Sequence, residues 1–159
     1  MTPAEAWNWS GTPTVRRHEV GLINQTYTVD IDGELAAILQ RLNTDIFAPE
    51  VHEDIEAITA ALAAAGLPTT RLVPTATGEL WHTDAQGGVW RALTPIGDRT
   101  IEKLRDPADA HSAGALVARF HGALRDFSWD FRSVRPGAHD TDLHMEKLAS
   151  AVHDERQHR

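Results

Sequence analysis

Gln25-Thr26-Tyr27-Thr28-Val29-Asp30-Ile31-Asp32-Gly33-Glu34-Leu35-Ala36-Ala37-Ile38-Leu39-Gln40-Arg41-Leu42 is the stretch that decides the fold. Before the turn, Tyr27, Val29 and Ile31 alternate with Thr26, Thr28 and Asp30. That period of two marks a strand with one buried face. Asp32-Gly33 is a strong signal for a tight hairpin, because a type I′ turn needs positive φ at both central residues. The chain then returns through Leu35-Ala36-Ala37-Ile38-Leu39, apolar on both faces, which predicts a strand covered on both sides. Upstream, residues 14–20 supply a further strand that ends at Gly21.

Outward from this meander the pattern changes period. Val51, Ile55, Ile58 and Leu62 form one helical stripe, so a helix is predicted over residues 49–65, with Pro49 in its first turn and Gly66 as its stop. Strand candidates follow at residues 70–73, 79–83 and 89–93, separated by turns at Thr77-Gly78 and Gln86-Gly87-Gly88. Trp81 and Trp90 fall where they can pair across a hairpin, and Trp7 and Trp9 can pack the N-terminal segment on the sheet. Residues 94–105, punctuated by Pro95 and Gly97, read as a connector. Beyond it, Asp106-Pro107 opens a helix with Ala113, Leu116, Phe120, Ala123 and Phe127 on one face. Residues 128–138 read as loop, and a last helix starts at Asp140 or Thr141. The predicted class is α+β: a twisted antiparallel sheet of about five strands with one helix, then a helical part.

Composition narrows the function. The 159 residues carry 15 basic and 23 acidic side chains, for a formal charge of −8, which argues against a nucleic-acid partner. There is no cysteine, so disulfides, thiolate metal sites and cysteine nucleophiles are excluded. No secretory signal and no apolar run of about 20 residues is visible, so no membrane association and a cytoplasmic location are expected. Neither a Gly-x-Ser-x-Gly elbow nor a Walker-type Gly-Lys-Ser/Thr loop is present.

The candidate chemistry sits around Gly21-Leu22-Ile23-Asn24-Gln25-Thr26-Tyr27, a strand-linking loop able to cover a polyphosphate with free N–H groups. Gln40 and Arg41, near the end of the third strand, are candidates to meet phosphates, and period two lets only one of them face a cleft. Glu53, Asp54 and Glu56 are the acids that the helix offers, and Asp54 flanks its apolar stripe. His139, Asp140 and His144 are the best metal cluster, but two ligands at i, i+4 fall short of a site, so none is assigned.

Those motifs in order, with Ile38-Leu39-Gln40-Arg41-Leu42-Asn43-Thr44-Asp45-Ile46-Phe47, Gly87-Gly88-Val89-Trp90-Arg91 and His139-Asp140-Thr141, resemble the aminoglycoside phosphotransferase/choline kinase-like family. Within it they are similar to the N-acetylhexosamine 1-kinase-like branch, over about residues 12–150. The resemblance implies a protein-kinase-like N-lobe in residues 1–93, a hinge in residues 94–105 and the start of a helical C-lobe in residues 106–159. It implies ATP held by Gly21, Asn24, Thr26, Gln40 or Arg41, Asp54, and the hinge residues Ala92 and Thr94. It also implies a small hydroxyl substrate, a sugar, met by His139 and Asp140.

Two departures stand out. Strand three has no lysine. No His-x-Asp-x-x-x-x-Asn loop follows, and there is no asparagine after Asn43, so the proton acceptor and the Mg²⁺ ligands are expected outside this chain. The 159 residues alone are therefore expected to be inactive, and an exposed lobe interface is expected to favour self-association. The alternatives are a kinase-derived binding or interaction module without catalysis, and an α+β domain that takes no nucleotide.

Overall fold

A computed structural model describes residues 2–19, 23–97 and 103–157, with side chains as far as residue 153. After a 3₁₀ turn at Ala4–Ala6 come β1 (Pro13–His18), β2 (Gln25–Ile31), β3 (Glu34–Arg41), α1 (Val51–Ala64), β4 (Leu72–Val73), β5 (His82–Thr83), β6 (Val89–Leu93), α2 (Pro107–Ala123) and α3 (Thr141–Gln157). The six strands form one antiparallel sheet in the order β1-β2-β3-β6-β4, with β5 also paired to β6. The α+β class therefore holds, with one more strand than expected.

The β2–β3 hairpin closes as its sequence dictates. Asp32 and Gly33 both have positive φ, 52° and 87°. Pairing runs without a break from Gln25↔Arg41 to Val29↔Ala37, then jumps to Asp30↔Leu35, so Ala36 is skipped as a bulge. The predicted alternation on β2 survives: Tyr27 and Val29 join the core, while Thr26 and Thr28 face the other way with their partners Gln40 and Ile38. On β3 the bulge turns Leu35 onto the same face as Ile38, where it is 42% exposed. The expectation that β3 is covered on both sides is thus corrected: Ala37 and Leu39 are fully buried, and the opposite face is only partly covered.

The core lies on one face of the sheet, where Trp7, Val29, Ala37, Leu39, Trp90 and Ala92 pack together. Trp7 is 3% exposed and its indole Nε1 donates to the Val73 carbonyl at 2.9 Å, which straps the N-terminal segment across the strands as expected. Trp81 and Trp90 do not pair. The register sets His82 opposite Trp90, so Trp90 packs on Tyr27 and Trp81 stacks on His52 of α1, with centroids 5.3 Å apart.

Helix α1 covers part of the other face. It begins two residues after Pro49, whose carbonyl accepts from the His52 N–H. It ends at Gly66, with φ 71°, where Gly66 N–H donates to Ala63 and Leu67 N–H to Leu62 in a Schellman stop. Asp106 caps α2 by accepting from the Asp109 N–H at 2.8 Å, and Asp140 caps α3 by accepting from the Leu143 N–H at 2.9 Å. The predicted stripe on α2 is present but uncovered: Leu116 is 54% and Phe120 39% exposed, and no residue of α2 is buried. Among the described residues no helix is long and apolar enough to cross a membrane.

The β5–β6 turn is organised by one carboxylate. Asp84 accepts from the N–H groups of Gln86 and Gly88 and from the Trp90 indole. A Cβ on Gly88 would stand 2.6 Å from Asp84 Oδ2 and 2.9 Å from Arg41 Nε. Gly88→Ala is therefore expected to cost about 1–3 kcal/mol in urea denaturation. Gly114→Ala, in open space on α2, is expected to be neutral or stabilising. Equal effects of the two changes would contradict this packing.

Candidate functional site

A row of polar side chains crosses the sheet on the face away from the core. Thr26 is in register with Gln40, and Gln40 with Arg91, so strands β2, β3 and β6 each contribute one member. Gln40 Nε2 donates to Thr26 Oγ1 at 3.2 Å. The Gln40 Oε1 accepts from Arg91 Nε at 3.0 Å and from Arg91 Nη2 at 2.9 Å. Each residue thereby fixes the next one's rotamer, as a half-buried polar row requires. Burial lowers the Arg91 pKa, yet a guanidinium stays charged.

Two cavities flank this row. Toward α1, a space of about 180 Å³ is lined by Asn24, Leu42, Phe47, Val51, Ile55 and Arg91. Asn24 is held there because its Oδ1 accepts from the Asn43 N–H at 3.0 Å, tying the loop before β2 to the exit of β3. Two residues along β6, an open, mostly apolar cavity of about 290 Å³ is lined by Leu35, Ile38, Leu93, Thr94 and residues 95–97 among others. Both cavities open on the same sheet face, with the Gln40–Arg91 pair between them.

The structure sorts the candidate residues accordingly. Asn24, Thr26 and Gln40 come together on this face; Gly21 and Leu22 lie outside the described residues. Arg41 points to the opposite face, beside Asp84, Tyr27 and Trp90. There the indole hydrogen bond from Trp90 and the Gly88 N–H hold the Asp84 carboxyl below its usual range, and the Arg41 charge adds to them.

Asp54 does not approach strand three. It is 5% exposed and faces the segment after α2, accepting from Trp129 Nε1 at 2.9 Å and from the N–H groups of Arg132 at 2.8 Å and Ser133 at 2.9 Å. Burial opposes its charge, but these three donors and the Arg132 charge outweigh it and keep the carboxyl below its ordinary value. The other helix acids are engaged too: Glu56 pairs with Arg71, and Glu53 lies 3.6 Å from Arg132.

Ala92 is also placed differently from expectation. It is fully buried in the core, its backbone in the ladder between β3 and β4. Thr94 donates its N–H to the Arg71 carbonyl, and its own carbonyl accepts from Thr70 Oγ1. Beyond Thr94 the chain leaves the sheet, and residues 95–97 line the edge of the Leu93 cavity. His139 is exposed, and Asp140 is spent on capping α3. Among the described residues, no group of three or more His, Asp or Glu side chains is placed to hold a metal ion.

Sequence reading missed Arg91 as a member of this face. The signal was available: three residues after Gly88, with buried Val89, Trp90 and Ala92 around it, it interrupts an apolar run. It also missed His52, which is fully buried and stacked on Trp81. His52 Nδ1 lies 2.6 Å from the Pro49 carbonyl, so the ring proton sits there, and Nε2 has no partner. Burial, opposed by that hydrogen bond and aided by the Arg91 charge, pushes its pKa down to about 4. Compared with known protein families, the chain matches no family profile.

His52 gives the fold a defined pH dependence. Unfolded, it takes up a proton near 6.5; folded, only at about 4. Between those values the unfolded state holds more protons, so stability is complete above the upper value and falls as pH drops toward the lower one. The expected loss between pH 7 and pH 4.5 is on the order of 2 kcal/mol. In urea denaturation His52→Phe should flatten this slope, and identical slopes for the two proteins would refute the assignment.

Proposed function

We propose that this chain is the nucleotide-binding part of a small-molecule phosphotransferase, a kinase-like N-lobe with the first helices of a C-lobe, which serves transfer of the ATP γ-phosphoryl group to a sugar hydroxyl. The observation that carries this reading is the division of one sheet face into an apolar cavity at Leu93 and a polar row at Gln40 and Arg91, with the loop before β2 beside that row. A purine needs a flat apolar slot with backbone groups at its edge, and a polyphosphate needs donors and positive charge a short distance away. Leu35, Ile38 and Leu93 form such a slot, and the backbone of residues 95–97 runs along its rim. The element order fits as well. Three antiparallel strands, a helix and a return to the same sheet bring loop, third strand and connector around one cleft.

The residues present here bind and orient; they do not supply the chemistry. No His-x-Asp-x-x-x-x-Asn loop occurs in the sequence. Magnesium would accompany the phosphates of the nucleotide and be held by residues outside this chain. The uncovered stripes on α2 and α3 fit helices that pack against further structure, and they also favour self-association of the isolated chain. The same exposed stripes favour the second reading, a kinase-derived interaction module that no longer turns over substrate.

Calorimetric titration with adenosine and with ATP tests the proposal. Weak, saturable binding of both is expected, with no phosphoryl transfer to N-acetylhexosamines by residues 1–159 alone. Ile38→Trp, which fills the slot from its floor, should weaken adenosine at least about tenfold, or 1.4 kcal/mol, without lowering the melting temperature. Absence of binding at millimolar concentration, or an unaffected Ile38→Trp protein, would overturn the nucleotide reading.

A further inference from the structure

The face that carries the polar row holds a positive charge that no acid among the described residues pairs with. Arg91 makes its two hydrogen bonds to a neutral amide, that of Gln40, and its Nη1 has no partner among the described residues. Neighbouring arginines are compensated: Arg16 with Asp30 on the same face, Arg71 with Glu56 beside α1. The three acids of α1 are all engaged elsewhere, with Arg132, Arg71 and the backbone of residues 132 and 133. His52, the titratable group near Arg91, is neutral at physiological pH and adds no negative charge. A half-buried guanidinium stripped of part of its water and left without a counter-ion is costly to hold unless an anion arrives.

The cavity beside Arg91 has the size and donors for that anion. Its roughly 180 Å³ exceed several water volumes. Asn24 lines the same space; its carbonyl oxygen is committed to the Asn43 N–H, which leaves its NH₂ group as a second donor. Among the described residues no carboxylate lines it. Arg91 stands two strand residues from Leu93, about 7 Å, which is within the span of one nucleotide whose base occupies the Leu93 cavity.

We propose that Arg91, on β6, is the cation that binds phosphate oxygens in this chain, taking the part that a strand-three lysine or Arg41 would otherwise play, with the Asn24 amide as its partner donor. This rests on the nucleotide reading above. Gln40 is then a positioning residue: it accepts from Nε and Nη2 and so presents Nη1 to the cavity. The guanidinium suits the task because its fixed fork matches phosphate geometry and stays charged when buried.

Adenosine, ATP and inorganic tripolyphosphate are titrated into the full chain and into Arg91→Met, Arg91→Lys and Arg41→Met. Wild type is expected to prefer ATP over adenosine at least about tenfold. Arg91→Met should erase that preference and leave adenosine binding intact, Arg91→Lys should keep part of it, and Arg41→Met should keep all of it. Persistence of the preference in Arg91→Met, or its loss in Arg41→Met, overturns the proposal. If adenosine fails to bind, the nucleotide reading falls and tripolyphosphate decides: binding that depends on Arg91 sustains an anion site here, whereas no binding, or binding indifferent to Arg91, removes it. Should Arg91→Met not fold, hydrogen exchange on wild type substitutes. Tripolyphosphate must then protect residues 24–26 and 89–93, and protection of residues 84–88 instead would assign the anion to the Arg41 face.

Discussion

The register of β3 between β2 and β6 is the constraint on which everything else depends. A two-residue turn at Asp32-Gly33, both at positive φ, starts it, and the bulge at Ala36 adjusts it by one residue. Because side chains alternate across a strand, a slip of one position would exchange Gln40 with Arg41 and turn Leu39 out of the core. The burial of Ala37 and Leu39 against Trp7 and Trp90 makes that slip expensive, so the apolar face dictates what the polar face presents. The bulge has its own consequence. It brings Leu35 onto the face of Ile38 and gives the cavity at Leu93 one of its walls.

The two faces then divide the work. One is a core closed by the N-terminal strap, with the Trp7 indole hydrogen-bonded to β4. The other keeps a fixed polar row and two open cavities, an arrangement that costs stability unless it serves a ligand. Helix α1 mediates between this face and the C-terminal part. Val51 and Ile55 look toward the Arg91 cavity, while Asp54 gathers three N–H groups from the segment after α2. A shift of α1 would thus be felt both at the cavity and in the docking of that segment.

How much of this was legible depended on the range of the interaction. The β2–β3 hairpin, the glycine stop at Gly66 and the caps at Asp106 and Asp140 are local, and each was readable from a few adjacent residues. The strap by Trp7 was readable as well, because two tryptophans so near a polar terminus need cover. The bulge at Ala36 was not: an apolar run carries no mark of which residue is skipped, and so β3 read as buried on both sides. The helical wheel places Asp54 beside the apolar stripe, but its partners lie 75 or more residues away and leave no local trace. Arg91 escaped for a similar reason, since its face is set by pairing with Gln40, 51 residues earlier. Ala92 and Thr94 spend their backbone groups on neighbours that only the sheet order reveals.

Whether the face bearing Gln40 and Arg91 receives a nucleotide can be decided by following backbone amide and Arg91 Nε resonances while ATP is added to the isotope-labelled chain. Saturable shifts are expected at Asn24, Thr26, Gln40, Arg91, Ile96 and Gly97, with the core residues Val29 and Leu39 still. Shifts confined to Arg41, Asp84 and Trp90, or no saturable change at all, would contradict a nucleotide on that face.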